Sequence, residues 1–217
     1  MRYKFFEPAE NYILLDFGNK IEEKTNKYIL AMADRIVHKA VLDVVPAYSS
    51  ILIEYNNKIA GPDELKRYIK KVKPGPDVSN GRLINIPVVY GGQAGPDLKK
   101  VSEANGISQE EVIKIHSSSE YRVYMLGFMP GFCYLGGMDE RIACDRLDKP
   151  RLKIPAGSVG IAGMQTGIYP EESPGGWNII GKTNFKFYRP NEEEPFPIKA
   201  GDIVKFVAAG KEDVSSL

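Results

Sequence analysis

The pattern of this chain changes at one place. Lys73-Pro74-Gly75-Pro76-Asp77-Val78-Ser79-Asn80-Gly81 holds two prolines and two glycines in nine residues, and neither helix nor strand continues through it. Before it, long periods alternate. Tyr12 to Phe17 reads as a strand, and Gly18 breaks it. A helical stripe of Ile21, Ile29, Met32, Ile36 and Ala40 follows, with Asn19 and Glu22 as its start signal. Strands are expected over Val41 to Val45 and Ser50 to Tyr55, with Asn56-Asn57 as a turn, and a helix from Pro62 with Leu65, Tyr68, Ile69 and Val72 on one face. After the break the pattern becomes short strands separated by Gly and Pro: 83–90, 121–128, 158–162, 177–180, 184–188 and 202–207. Two helices interrupt them, 97–105 and 109–117, the second with Ser108 and Glu111 as a capping box. This predicts an α+β protein, with a small N-terminal α/β domain over 1–78 and a barrel or sandwich over 79–217. At 217 residues there is enough chain for two cores.

Charge sets no direction: 29 Lys plus Arg against 28 Asp plus Glu give a formal net charge of +1. No global field draws such a protein to nucleic acid or to an anionic membrane. The opening residues contain no apolar h-region and no stretch reaches the roughly 18 apolar residues of a membrane span, so a cytoplasmic protein is expected. Cys133 and Cys144 are too few for a disulfide framework. With His38 and His116 the only histidines, and no CxxC pair, no metal site is expected.

Three motifs are tempting. Gly176-Trp177-Asn178-Ile179-Ile180-Gly181-Lys182-Thr183 fits GxxxxGK[ST], but a phosphate loop needs a helix after it, and Asn184 to Tyr188 alternates like a strand. Leu98 to Ile113 imitates a helix-turn-helix, yet Glu110 and Glu111 would face the phosphate backbone; two helices packed beside a barrel is the favoured reading. Cys133 and His116 could form a thiolate-imidazole pair, against the plainer reading of Cys133 as a small buried hydrophobe.

One segment is more idiosyncratic. His116-Ser117-Ser118 with Tyr121-Arg122-Val123-Tyr124 precedes Leu126-Gly127-Phe128-Met129-Pro130-Gly131-Phe132-Cys133-Tyr134-Leu135-Gly136-Gly137. Then come Pro150-Arg151 through Gly163, Gln165-Thr166-Gly167-Ile168-Tyr169-Pro170, and Ser173-Pro174-Gly175-Gly176-Trp177 through Thr183. Together they resemble the family of 5-oxoprolinase B subunits, also called allophanate hydrolase subunit 1. The resemblance implies that the second domain is a cyclophilin-like β-barrel. It implies opening of 5-oxo-L-proline to L-glutamate at the expense of ATP, in a complex with the 5-oxoprolinase C subunit (allophanate hydrolase subunit 2 type) and the A subunit. A lactam is a poor electrophile, which is why such a reaction needs activation. The same family includes an inhibitor of a sporulation histidine kinase, and similar barrels occur in biotin-dependent urea carboxylases; these are the alternatives.

Within that segment the residues suggest roles. Gly157, Ser158, Gly160 and Gly163 could bring bare backbone to a ligand, or could form tight barrel turns. Arg151 could pair with a carboxylate or phosphate, or sit in a surface salt bridge. Gln165 and Thr166 could hold the lactam amide. His116, the second domain's only histidine, is the expected proton shuttle because an unperturbed imidazole titrates near neutrality; a structural histidine at a helix end is the alternative. Tyr169 and Trp177 could wall an apolar pocket or an inter-subunit surface, core packing being their default.

Overall fold

The computed structural model describes residues 1–76 and 81–210, in two compact units, Met1–Asn80 and Gly81–Leu217. The boundary expected between 78 and 79 lies in residues 77–80, outside those described.

In the first unit β1 (Lys4–Ala9), β2 (Tyr12–Asp16), β3 (Val41–Pro46) and β4 (Ser50–Tyr55) form one antiparallel sheet in the order β1-β2-β4-β3. Period-two alternation puts Ile13, Leu15, Ile51, Ile53 and Tyr55 on one face. Ile29 and Met32 of α1 (Glu23–Ala33) and Leu65 and Ile69 of α2 (Pro62–Ile69) join the same core. The expected start of the first helix is corrected. Glu22 is the N-cap but no side chain caps it, and Ile21 is half exposed. Strand β1 has no legible sequence pattern because it is an edge strand, exposed along most of its length and containing Pro8.

The second unit is a closed barrel. Its strands are β5 (Leu83–Tyr90), β6 (Glu120–Leu126), β7 (Cys133–Gly136), β9 (Ser158–Ala162), β10 (Gln165–Ile168), β12 (Asn178–Lys182) and β13 (Ile203–Ala208), in the order β10-β7-β6-β13-β5-β12-β9. Strand β10 closes the ring on β9, and only the β13–β5 pair is parallel. Ile86, Val88, Val123, Leu135, Ile161, Ile180 and Phe206 are among the core side chains. A two-stranded sheet of β8 (Arg151–Ile154) and β11 (Ser173–Gly175) stands outside the ring. Helices α3 (Leu98–Asn105) and α4 (Gln109–Ser118) pack against each other and against β12 and β13, burying Val101, Val112 and Ile115, which is the packed-helix reading of the helix-turn-helix look-alike. Half of the expected capping box forms, with Ser108 Oγ accepting from the Glu111 N–H at 3.1 Å.

One expected strand is absent. Over 184–188 the alternation of Phe185 and Phe187 is real, but Thr183 Oγ1 accepts the Phe185 N–H at 3.2 Å and turns the chain out of the ladder. Phe187 reaches the core from a loop instead. Among the described residues no helix is long and apolar enough to cross a membrane.

Candidate functional site

The glycine-rich segment is used by the barrel itself. Gly157 has φ +79, and a Cβ there would lie 2.0 Å from the Thr183 carbonyl oxygen, so the close approach it permits is to the neighbouring chain segment. Its N–H donates to Tyr169 O at 2.7 Å and its carbonyl accepts from Thr183 N at 2.8 Å. Ser158 is buried, its hydroxyl donating to Pro155 O at 2.7 Å, and Gly160 lies in the β9 ladder under Trp177. The Gly163 N–H donates to Cys144 O at 2.8 Å. These four positions form barrel turns and ladders.

His116 is sealed inside. It is 0% exposed and stacks on Phe206 at 4.5 Å between ring centroids. Both ring nitrogens are engaged, Nδ1 with the Tyr90 hydroxyl at 2.7 Å and Nε2 with Thr166 Oγ1 at 2.9 Å. Thr166 donates its one proton to Gly160 O at 3.0 Å, so it accepts from an Nε2–H, and Tyr90 donates to the bare Nδ1. Burial alone lowers the His116 pKa to about 3. The near-neutral titration expected of a shuttle is therefore corrected: this imidazole stays neutral. Thr166, also 0% exposed, is equally out of a ligand's reach. Cys133 gains no base either, since both imidazole nitrogens are taken and burial pushes its thiol up to about 12.

Arg151 is already partnered. Its guanidinium forms a two-pronged pair with Asp97, at 2.8 and 2.7 Å, and Asp97 is almost fully buried. Gln165 begins β10 opposite Ala162.

The other expected residues do meet. Tyr169 and Trp177 share a cleft of about 280 Å³ with Phe128, Phe132, Tyr134 and Arg146, closed at one side by Pro150 and the Pro174-Gly175-Gly176 turn. Phe132 is at the centre, edge-on to Tyr134 (4.8 Å), Tyr169 (5.2 Å), Phe128 (5.4 Å) and Trp177 (5.6 Å). Gly175 is required, because a Cβ would lie 2.4 Å from the Tyr169 hydroxyl oxygen. Phe128 is the one described non-glycine residue with positive φ, +72, and it is 62% exposed. A bulky side chain held so at a cleft is a mark of functional sites.

Arg146 lines the same cleft, although no motif marks it in the sequence. The backbone on both sides of it is tied to the residues flanking Trp177. Leu147 N–H donates to Gly176 O at 2.7 Å, and Asp145 O accepts from Asn178 Nδ2 at 2.8 Å. Arg146 thus faces Trp177, its guanidinium carbon 6.0 Å from the ring centroid. Burial raises the phenol of Tyr169 to about 12 and raises that of Tyr134 as well.

The GxxxxGK[ST] residues Asn178–Lys182 are strand β12, pairing with both β5 and β9, so they cannot curl around a phosphate. The cleft lies just under the about 300–1,000 Å³ of pockets for drug-sized ligands, the scale of a small metabolite.

Comparison with known proteins agrees with this architecture. The family "carboxyltransferase domain, subdomain C and D" matches residues 3–198. The chain is 43% identical to the 5-oxoprolinase B subunit of Bacillus subtilis, over 98% of this chain and 95% of that protein. With the corresponding B subunit of Escherichia coli O157:H7 it shares 39%, over 92% and 93%. A crystal structure of TTHA0988 superposes with a TM-score of 0.83 at 38% identity, covering 92% of this chain and 40% of that one, so the chain spans less than half of that protein. The urea amidolyase of K. lactis, at 18% identity and a TM-score of 0.77, shares the fold alone. Motifs, barrel and relatives together place this chain in the carboxyltransferase subdomain C and D family, alongside its 5-oxoprolinase B-type members.

Proposed function

We propose that this chain is the B-type subunit of an ATP-dependent 5-oxoprolinase and that its aromatic cleft receives the lactam. The observation that carries the reading is the cleft itself: a metabolite-sized hollow with aromatic walls and one cation, in a chain that aligns with B-type subunits end to end. The 5-oxoproline ring is small and flat, with apolar faces, an amide edge and one carboxylate. Exposed Phe128 and half-buried Tyr134 offer matching apolar surface, backed by the nearly buried Phe132, Tyr169 and Trp177. In this role the chain binds and orients the ring and excludes water from its faces.

It does not carry the whole reaction. His116 is sealed and neutral, the Cys133 thiol is buried, and the GxxxxGK[ST] residues form a strand paired on both edges. ATP, the groups that act on it and the proton acceptor belong to the partner subunits, a second barrel subunit of type C and a separate one of type A. The test is to purify the chain alone and with its co-expressed partners, and to assay glutamate release from 5-oxoproline with and without ATP. The expected result is ATP-dependent release by the assembly and little or none by the chain alone. An inactive assembly, or robust turnover by the single chain, overturns the reading.

A further inference from the structure

Two arginines stand near the aromatic cleft, and they are chemically different. Arg151 has its planar fork filled by Asp97, at 2.7 and 2.8 Å, so its charge is answered within the fold. Arg146 is exposed, and among the described residues its guanidinium has neither an ion pair nor a hydrogen bond. It is the one charged residue lining the cleft, whose other lining side chains are aromatic, proline or glycine. Its place is built: the Leu147–Gly176 and Asp145–Asn178 bonds hold the backbone on each side, and Asn178 is 0% exposed. The guanidinium carbon lies over the Trp177 ring, 6.0 Å from its centroid.

We infer that Arg146 is the specificity-determining residue of the cleft, pairing with the carboxylate of a monoanionic cyclic amide whose ring lies against the aromatic wall. This rests on the reading of the cleft as the lactam site and adds to it which feature of the lactam is selected. A cleft of aromatic faces alone would accept any small flat ring, whereas an unpaired guanidinium at its edge favours a ring that carries an anion. Planar fork geometry suits a carboxylate better than a point charge does. Arg151 acts differently, as a positioning residue: through Asp97 it fixes β8 to the start of β12, and so holds the Trp177 wall in place.

Trp177 is the only tryptophan in the chain, so its fluorescence reports on this cleft directly. The purified chain, and the reconstituted complex, are titrated with 5-oxo-L-proline and with 2-pyrrolidinone, the same ring without the carboxylate. The wild type is expected to show a saturable change that favours 5-oxo-L-proline by about ten- to hundred-fold, the range of a charge-assisted hydrogen-bonded contact. Arg146→Gln is expected to lose that preference and bind both ligands weakly, with an unchanged melting temperature. In the complex its KM for 5-oxo-L-proline rises by a similar factor. Arg146→Lys should recover part of the preference. Lys153→Gln, an exposed charge outside the cleft lining, controls for net charge and should change nothing. If the wild-type complex hydrolyses 5-oxo-L-proline and Arg146→Gln keeps both its preference and its KM, the assignment of Arg146 is overturned while the function stands. If the wild type neither binds nor hydrolyses the lactam, the functional reading falls and this inference with it.

Discussion

Arg151 and Asp97 meet fork to fork: Nη2 donates to Oδ1 at 2.7 Å and Nη1 to Oδ2 at 2.8 Å, while Oδ2 also accepts the Ile179 N–H at 2.7 Å. One nearly buried carboxylate therefore joins the start of α3, β8 and β12. Its loss is felt in three elements. Asp97→Asn removes the charge and mismatches one prong, and is expected to cost about 1.5–3 kcal/mol of stability. Arg151→Gln should cost less, because about a third of that side chain is in solvent. Chemical denaturation of both single variants and the double variant checks this, and a double variant little worse than Asp97→Asn is the expected sign of coupling. A loss below about 0.5 kcal/mol for Asp97→Asn contradicts it.

Acid should weaken the barrel through His116. Its folded pKa of about 3 is depressed by burial, against about 6.5 in an unfolded chain. Below pH 6.5 the unfolded chain takes up a proton that the folded one refuses. The stability that the neutral imidazole contributes is thus complete above pH 6.5 and is lost as pH falls toward 3. Between pH 7 and 5 the wild type is expected to lose about 2 kcal/mol more than His116→Asn. That variant should also be less stable at pH 7, since it breaks the Tyr90–His116–Thr166 chain of hydrogen bonds. Turnover of the assembled complex should fall only in step with its folded fraction. A selective loss of turnover with an unchanged melting temperature would restore His116 to the chemistry.

Lys182→Ala is expected to leave the ATP dependence of the assembled complex within a few fold. A lysine in a true phosphate loop makes a charge-assisted contact of about 1.5–3 kcal/mol, whereas Lys182 extends from a strand paired on both edges. Nucleotide titration of wild-type and variant complexes measures this. Abolished nucleotide binding with the fold intact contradicts the strand reading.

Arg122 presents the opposite case from Arg151. It is 5% exposed, and its Nε and Nη2 are buried with no hydrogen-bond partner among the described residues. An unanswered buried guanidinium is costly, so Arg122→Met, which keeps the apolar stem, should match or exceed the wild type's stability, by about 1 kcal/mol or more. Thermal melting decides, and a clear loss of stability would mean that the guanidinium has a counterion.

Elements that carry their own periodicity were legible in the chain before any contact was known. Leu83 to Tyr90 and Ser158 to Ala162 match β5 and β9 at both ends, because inward and outward side chains alternate there as a barrel wall requires. The helices expected over 97–105 and 109–117, the second from its Ser108 cap, match α3 and α4 to within a residue at each end. Residues 116–183, dense in Gly and Pro, pointed to the family by motif alone. Strands β7, β8, β10 and β11, three or four residues each, left no such trace, since a few residues cannot display a period.

Which residues meet was settled by folding. His116, Thr166 and Arg151 have the right chemistry for a site, but burial and partners govern whether chemistry is available, and neither is written locally. Two of the three lie in the barrel interior and the third is held by Asp97, fifty-four positions earlier in the chain. Tyr169 and Trp177 are buried in a core cluster, as core packing would have them, and their rings also line the cleft together with Arg146, which no motif marks. It faces the cleft because two hydrogen bonds fix the backbone on either side of it opposite Gly176 and Asn178, and such a register between distant segments exists only once the barrel has closed.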